Sequence, residues 1–380
     1  MALIPRALSA TIERRVRRGG KVAILYGARQ TGKTTLLDEL LPRLPYRSLA
    51  VSADETRYLD VLSSRDLGAM TRLVAGYDLL FIDEAQRVPD IGINLKILTD
   101  GLPDLRVVAT GSSSFELANR VSEPLTGRTW THVLYPVSVL ELAHLHNPFE
   151  LEQMLDALLV YGSYPEVFSL HNDADKAEHL REVSTAYLYK DVLELAGIRR
   201  GGKIHDLLRL LAFQIGSEVS IHELARQLSM SRDTVESYLD LLEQAFVIAR
   251  LGGYSRNLRK EVTKMKKVYF LDLGIRNAVI ENFAPTSRRD DVGRLWENFL
   301  VIERQKTLAY TGRRGRTFFW RIYTGAELDY VEERDGMLDG FEIKLQGRRG
   351  RIPSAWSQTY PNATATVISR DNWLDFLIPG

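Results

Sequence analysis

The chain contains no cysteine, which excludes disulfides and thiolate metal sites. It also has almost no excess of either charge. Its 50 basic and 49 acidic residues leave a formal net charge of +1, so attraction to nucleic acid would have to come from a local surface. No uninterrupted apolar run reaches membrane-spanning length. The opening stretch MALIPRALSATIERRVRRGG is basic and amphipathic, but it lacks the apolar centre and small-residue cleavage site of a secretory signal. A cytoplasmic protein with no membrane attachment is therefore expected. At 380 residues the chain exceeds one typical core, and two or three domains are expected.

Against these absences stands Gly27-Ala28-Arg29-Gln30-Thr31-Gly32-Lys33-Thr34, a complete G-x-x-x-x-G-K-T loop followed by Thr35. Lys21 to Tyr26 reads as a buried strand and Thr34 to Leu41 as the start of an amphipathic helix. A strand, a glycine turn and a helix N-terminus direct several backbone N–H groups at one point, where an anion is favoured. Lys33 is expected to reach the β- and γ-phosphates of a nucleotide, and the Thr34 hydroxyl to sit on Mg²⁺. Downstream, the apolar run before Asp83 and Glu84 reads as a central strand ending at the catalytic edge of a parallel sheet. Asp83 is the candidate Mg²⁺ ligand and Glu84 the candidate base that orients water. A second carboxylate argues for hydrolysis, since binding alone does not need it. Leu105 to Ser114 is a further strand ending in hydroxyls, with Thr110 or Ser112 a candidate sensor of the γ-phosphate and an N-cap the plainer alternative. Arg128, or less favourably Arg120, is a candidate arginine finger acting on a neighbouring subunit, against a simple surface arginine.

From Glu141 to about Arg200 the pattern is helical, with a break at Tyr161-Gly-Ser-Tyr-Pro165, and a lid packed on the nucleotide-binding core is the expectation. Val219 to Leu242 reads as a helix-turn-helix. Ser220 and Glu223 form a capping box, Ser231 caps a second helix, and Val235, Tyr238, Leu239 and Leu242 face inward. Arg232 and Thr234 lie at the start of that second helix, the one offered to a major groove. Phe246 to Leu251 and Lys267 to Leu271 read as two strands of a wing, joined by a loop carrying Arg256, Arg259, Lys260, Lys264, Lys266 and Lys267 against a single Glu261. Such a local excess suits phosphate contacts, although a solvated basic loop carries the same pattern.

In the tail, Glu327-Leu-Asp329, a turn at Asp335-Gly336 and Glu342-Ile-Lys344 read as a β-hairpin. Residues 342 and 344 share a face because strand side chains alternate. Asp329 and Glu342 are candidate ligands of a hard cation, with Lys344 supporting charge at phosphorus and Glu297 completing the set from a helix. This is the D…E-x-K arrangement of restriction-type nucleases, and also an ordinary pattern for a charged surface hairpin.

Taken together, GARQTGKTTLL, LLFIDEAQ, VVATGSSS, YGSYPEV, KKVYFLDLGIRNA, GRLWENFLVIE and the ELDYV…FEIK hairpin resemble the prokaryotic AAA-type ATP-binding proteins that carry a C-terminal domain of unknown function. The resemblance covers almost the whole chain. It implies an α/β P-loop NTPase with a three-layer core and helical lid, a winged helix-turn-helix and a restriction-endonuclease-like α/β tail. The expected segments are 1–145 for the ATPase core, 146–200 for the lid, 201–285 for the winged helix and 286–380 for the tail. It further implies ATP rather than GTP, and ring-like homo-oligomers in which an arginine of one subunit completes the next subunit's site. The expected function is a Mg²⁺-dependent ATPase that remodels or translocates on DNA, with nuclease activity in the tail as a further option. The alternative is an ATP-dependent regulatory switch whose winged helix acts in transcription or on protein.

Overall fold

Five short apolar strands assemble one parallel sheet in the computed structural model, which describes residues 3–112, 125–187, 202–255, 266–313, 315–323, 325–346 and 350–378. They are β1 (Val22–Tyr26), β2 (Ser48–Ser52), β3 (Leu79–Asp83), β4 (Arg106–Gly111) and β5 (Thr129–Val133), in the order β2-β3-β4-β1-β5. Every residue of β1 is buried, as expected for a strand covered on both faces. Val22, Ile24, Leu80, Ile82, Val107 and Ala109 share one core. Fully burying each larger side chain contributes about 1.5–3 kcal/mol. Because all five strands run the same way, the ends of β1, β3 and β4 share an edge, where parallel α/β sheets bind ligands.

The chain divides into two units, residues 2–136 with 244–246, and residues 137–243 with 247–380. The parallel sheet belongs to the first. The second contains a mixed seven-stranded sheet built from β6 (Glu218–Val219), β7 (Ile248–Gly253), β8 (Lys266–Phe270), β9 (Arg316–Arg321), β10 (Glu327–Arg334), β11 (Met337–Ile343) and β12 (Thr364–Ile368). Its order is β12-β11-β10-β9-β7-β8-β6. The junction expected between residues 285 and 286 falls between β8 and β9, and one sheet spans it. β7 pairs in parallel with β9 through Gly252 with Phe318 and Gly253 with Phe319.

Three helices, Gly202–Phe213, Ile221–Leu228 and Arg232–Gln244, precede the antiparallel pair β7 and β8. Ser220 Oγ accepts the Glu223 N–H at 3.3 Å, and Ser231 Oγ accepts that of Thr234 at 3.1 Å, so both hydroxyls cap their helices. Leu224, Leu228, Val235, Leu239 and Leu242 are buried.

The segment expected as a lid on the nucleotide-binding core falls in the second unit. Its described helices, Pro148–Tyr161 and Asp173–Tyr187, belong to the second unit and pack on the helix Leu273–Val279. The reason is polar as well as apolar: Asn277 Nδ2 donates to the carbonyls of Leu159 at 3.1 Å and Val160 at 2.8 Å. Gly162 ends the first of these helices at φ 68°, with its backbone against the carboxylate of Asp272. That carboxylate accepts the Ser163 N–H at 2.7 Å and caps the next helix through Ile275 N–H at 3.1 Å. The GSYPE and LDLGIRN stretches are thus two sides of one buried junction. No helix among the described residues is long and apolar enough to cross a membrane.

Candidate functional site

At the carboxyl edge of the parallel sheet, the loop after β1 closes over its own lysine. Lys33 is 6% exposed and its Nζ donates to the carbonyls of Gly27 at 2.9 Å and Ala28 at 2.8 Å. Thr31 is buried and its hydroxyl donates to Ala28 O at 2.9 Å, fixing the turn. Gly27 has a steric requirement, since a β-carbon there would lie 2.3 Å from the backbone oxygen of Leu134. Arg6 braces the loop from outside, donating to the carbonyls of Thr31 and Tyr135 at 2.6 Å each. Arg29 is half-buried, while Gln30 and Thr35 are exposed. The helix Lys33–Leu40 starts at Gly32 without any side-chain cap, which leaves its first N–H groups suited to an anion.

The hydroxyl and carboxyl groups of the neighbouring strands converge beside this helix start. Thr34 Oγ1 donates to Asp83 Oδ2 at 3.1 Å, and Thr110 Oγ1 donates to the other oxygen, Oδ1. The Glu84 N–H points to Asp83 Oδ1 and Thr110 Oγ1, each at 3.2 Å. These contacts hold Glu84 at φ 52°, a left-handed backbone that a non-glycine residue adopts at some cost and that clusters at functional sites. Gln86 Nε2 then donates both to the Glu84 carboxylate and to Ser112 Oγ, the latter at 3.0 Å. Lys33, Thr34, Asp83, Glu84, Thr110 and Ser112 are therefore neighbours at one edge, with Gln86 linking two of them. One carboxylate and one hydroxyl suit Mg²⁺, which takes few protein ligands when phosphates supply the rest. Arg128 stands apart from this group and pairs with Asp100, both side chains being roughly half exposed.

The second unit holds a different arrangement. Asp335 and Gly336 take φ 52° and 79°, the tight turn their sequence favours, and bring β10 against β11. Lys344 Nζ lies 2.6 Å from Glu342 Oε1 and 3.6 Å from Asp329 Oδ2, which also accepts the Ile343 N–H at 2.8 Å. Glu342 Oε2 is buried without a hydrogen-bond partner among the described residues. Burial and the nearby Asp329 raise the Glu342 pKa, against a lowering by Lys344. Glu297 enters from the helix Val292–Thr311 and accepts the Tyr269 hydroxyl at 2.8 Å. Glu297, Asp329, Glu342 and Lys344 are thus brought into one cluster, joined by Glu327.

Lys267 overturns its expected place in the basic loop. It belongs to β8, and strand alternation turns it inward, while Lys266 beside it is exposed. Its side chain is 4% exposed, with Nζ 3.2 Å from Glu297, 2.5 Å from Glu327 and 3.6 Å from Asp329. Burial alone would lower its pKa, but the three carboxylates raise it overall. Of the D…E-x-K residues Lys267 meets Asp329 alone, and its other partners are Glu297 and Glu327. No group of three His, Asp or Glu residues among those described is arranged to hold a metal.

This packing has a pH consequence. Burial pushes the Glu297 carboxyl up to about 7, despite Lys267 and the Tyr269 hydrogen bond, with Asp329 adding to the rise. A carboxyl whose folded pKa is raised binds more protons when folded, so its contribution is present at low pH and lost as pH rises towards 7. Urea unfolding from pH 5 to 8 should show the wild type losing stability relative to Glu297→Gln. Parallel curves would count against the shift.

Of the DNA-contact candidates, Arg232 and Lys266 are exposed and Thr234 is half-buried, its hydroxyl paired with Ser231 at 2.7 Å. Arg256, Arg259, Lys260 and Lys264 lie outside the described residues, as does Arg120.

Comparison with known proteins agrees with the loop geometry. The model of an AAA domain matches residues 19–143, and models of two domains of unknown function, DUF8612 and DUF4143, match residues 152–286 and 292–362. The uncharacterised proteins Rv2008c of Mycobacterium tuberculosis and Mb2031c of Mycobacterium bovis are each 30% identical over 348 residues, covering 90% of this chain and 74% of theirs. The chain belongs to their family. Its residues 19–143 are an AAA-type, ATPase-like domain with a phosphate-binding loop. Protein MJ1637 of Methanocaldococcus jannaschii is 25% identical over 398 residues, covering 88% of this chain and 83% of its own. Among solved structures, the Walker-type ATPase PABY2304 of Pyrococcus abyssi overlaps 72% of this chain and 94% of its own at 15% identity and a TM-score of 0.48.

Three residues of these sites were not assigned to them from the sequence. Gln86 sits two positions after Glu84, a spacing that a turn directly after the strand brings round to the same side. Glu327 lies two before Asp329 on one strand, so alternation alone could have placed it on the same face. Lys267 carried no usable signal, because its partners lie far away in sequence.

Proposed function

We propose that this protein is a Mg²⁺-dependent ATP hydrolase of the AAA type whose turnover is directed at DNA. The observation that carries the hydrolytic reading is the single hydrogen-bonded set at the sheet edge. In it the Thr34 hydroxyl meets the Asp83 carboxylate, and Gln86 bonds both Glu84 and Ser112. In this reading the loop N–H groups and Lys33 hold the phosphates, Thr34 and Asp83 hold Mg²⁺, and Glu84 orients water for attack. Mg²⁺ supplies neutralisation of the charge that develops on the phosphates. Thr110 fixes Asp83, and Ser112 is placed to respond to the terminal phosphate through Gln86. An arginine supplied by a second copy, for which Arg128 is the candidate, would have to leave its pair with Asp100. Exposed pairs of that kind hold by about 0.2–1 kcal/mol, so the exchange is accessible.

The DNA reading treats the three helices and the β7–β8 pair as a winged helix. The helix Arg232–Gln244 is offered to a major groove, and Arg232, Lys266 and the residues between 256 and 264 meet phosphates. A second reading, a regulatory switch that contacts protein, is favoured by the mixed charge at that helix start, where Asp233 and Glu236 are exposed beside Arg232. ATPase turnover with duplex, forked and single-stranded DNA separates the two. Stimulation that fades with added salt is expected for the DNA reading. Unaltered turnover with all three, and no salt-sensitive binding, would remove that reading and leave the switch.

A further inference from the structure

We infer that the ammonium of Lys267 is the resident cation of the acidic cluster formed by Glu297, Glu327 and Asp329, and that the native cluster takes up no divalent metal. Three carboxylate oxygens converge on Nζ from two elements, the helix Val292–Thr311 and strand β10, at 3.2, 2.5 and 3.6 Å. A divalent ion draws such oxygens to about 2.0–2.6 Å, so it would need the volume the ammonium fills. The position is built to hold the lysine. Its side chain is 4% exposed, and Nζ also lies 5.5 Å from the centre of the Phe319 ring on β9.

Asp329, shared by this cluster and the D…E-x-K hairpin, already faces a cation on each oxygen. Its Oδ1 faces Lys267, and its Oδ2 faces Lys344 and accepts the Ile343 N–H. A divalent ion added next to Lys267 would meet a buried positive charge about 3 Å away, a repulsion little screened at that depth. Removing the ammonium should reverse the preference, because several buried carboxylates would then lack a cation and a metal could replace it. The same residues thus serve as an ionic tie from β8 across to β10, in which Lys344 covers the outer side.

Counting bound Mn²⁺ by electron paramagnetic resonance, on the full chain without nucleotide, tests this. Wild type and Asp329→Asn should take up equal numbers of ions. Lys267→Ala should take up one more, lost again in Lys267→Ala/Asp329→Asn. A hundredfold excess of Mn²⁺ over its Kd should also raise the unfolding midpoint of Lys267→Ala by about 5 °C, with no change in the double variant. Wild type binding one ion more than Asp329→Asn would overturn the assignment. So would Lys267→Ala binding no more than wild type. If Lys267→Ala does not fold, wild type against Asp329→Asn and Glu342→Gln decides alone: equal uptake supports the assignment and a deficit in either variant refutes it.

Discussion

Glu84→Gln is expected to lower ATP turnover by about 10²–10⁴-fold while ATP binding persists, the loss that removal of a positioned base produces. That range corresponds to roughly 3–5 kcal/mol of transition-state stabilisation. The substitution is nearly isosteric and touches nothing else in the site. The backbone N–H of residue 84 still points to Asp83 and Thr110, and the new amide oxygen can still accept from Gln86. Thr34, Asp83 and the loop amides are untouched, so nucleotide affinity should change little. The measurement pairs steady-state hydrolysis with equilibrium binding of a labelled nucleotide. Hydrolysis at an undiminished rate would remove Glu84 from the chemistry, and loss of binding would show that its role lies in the fold of the edge.

Gly162→Ala should be among the most damaging small substitutions in the second unit. The backbone there has φ 68°, and an added β-carbon would stand 2.2 Å from Asp272 Oδ1. The carboxylate cannot retreat cheaply, since it caps the helix Leu273–Val279 and accepts the Ser163 N–H. Positive-φ strain, overpacking and weakened hydrogen bonds sum to about 3–5 kcal/mol. A midpoint about 10 °C lower is expected for a unit of this size. Adding Asp272→Ala removes the obstruction, so the double variant should lose less than the two single losses combined. Strict additivity, or a Gly162→Ala midpoint equal to wild type, would refute the close contact.

What the sequence made legible was local. The loop from Gly27 to Thr34, the carboxylates Asp83 and Glu84 after a strand, and the Asp335-Gly336 turn are each written within a few residues. Period and turn chemistry were enough to place them. The D…E-x-K residues were found for the same reason, as they lie on one hairpin. Their chemical setting was not, because it depends on Lys267, which reaches them only after β7 pairs with β9. A pattern can show which carboxylates share a face, but not which distant lysine is buried among them. The helices after Pro148 show the same limit: their amphipathic faces said that they pack, and only Asn277 and Asp272 say against what. Gln86 was in plain view, yet glutamine beside a glutamate has no distinctive signature until its amide is seen bonded to both Glu84 and Ser112.

The parallel pairing of β7 with β9 also bears on how this chain can be made. While the ribosome is still translating the residues from 254 to 315, one edge of β7 has no partner, and an uncovered strand edge is a template for association with other chains. At about 5–20 residues per second that interval lasts several seconds. A product cut near residue 285 would carry this open edge permanently, so separating the central segment from the tail should yield an aggregating fragment rather than a domain.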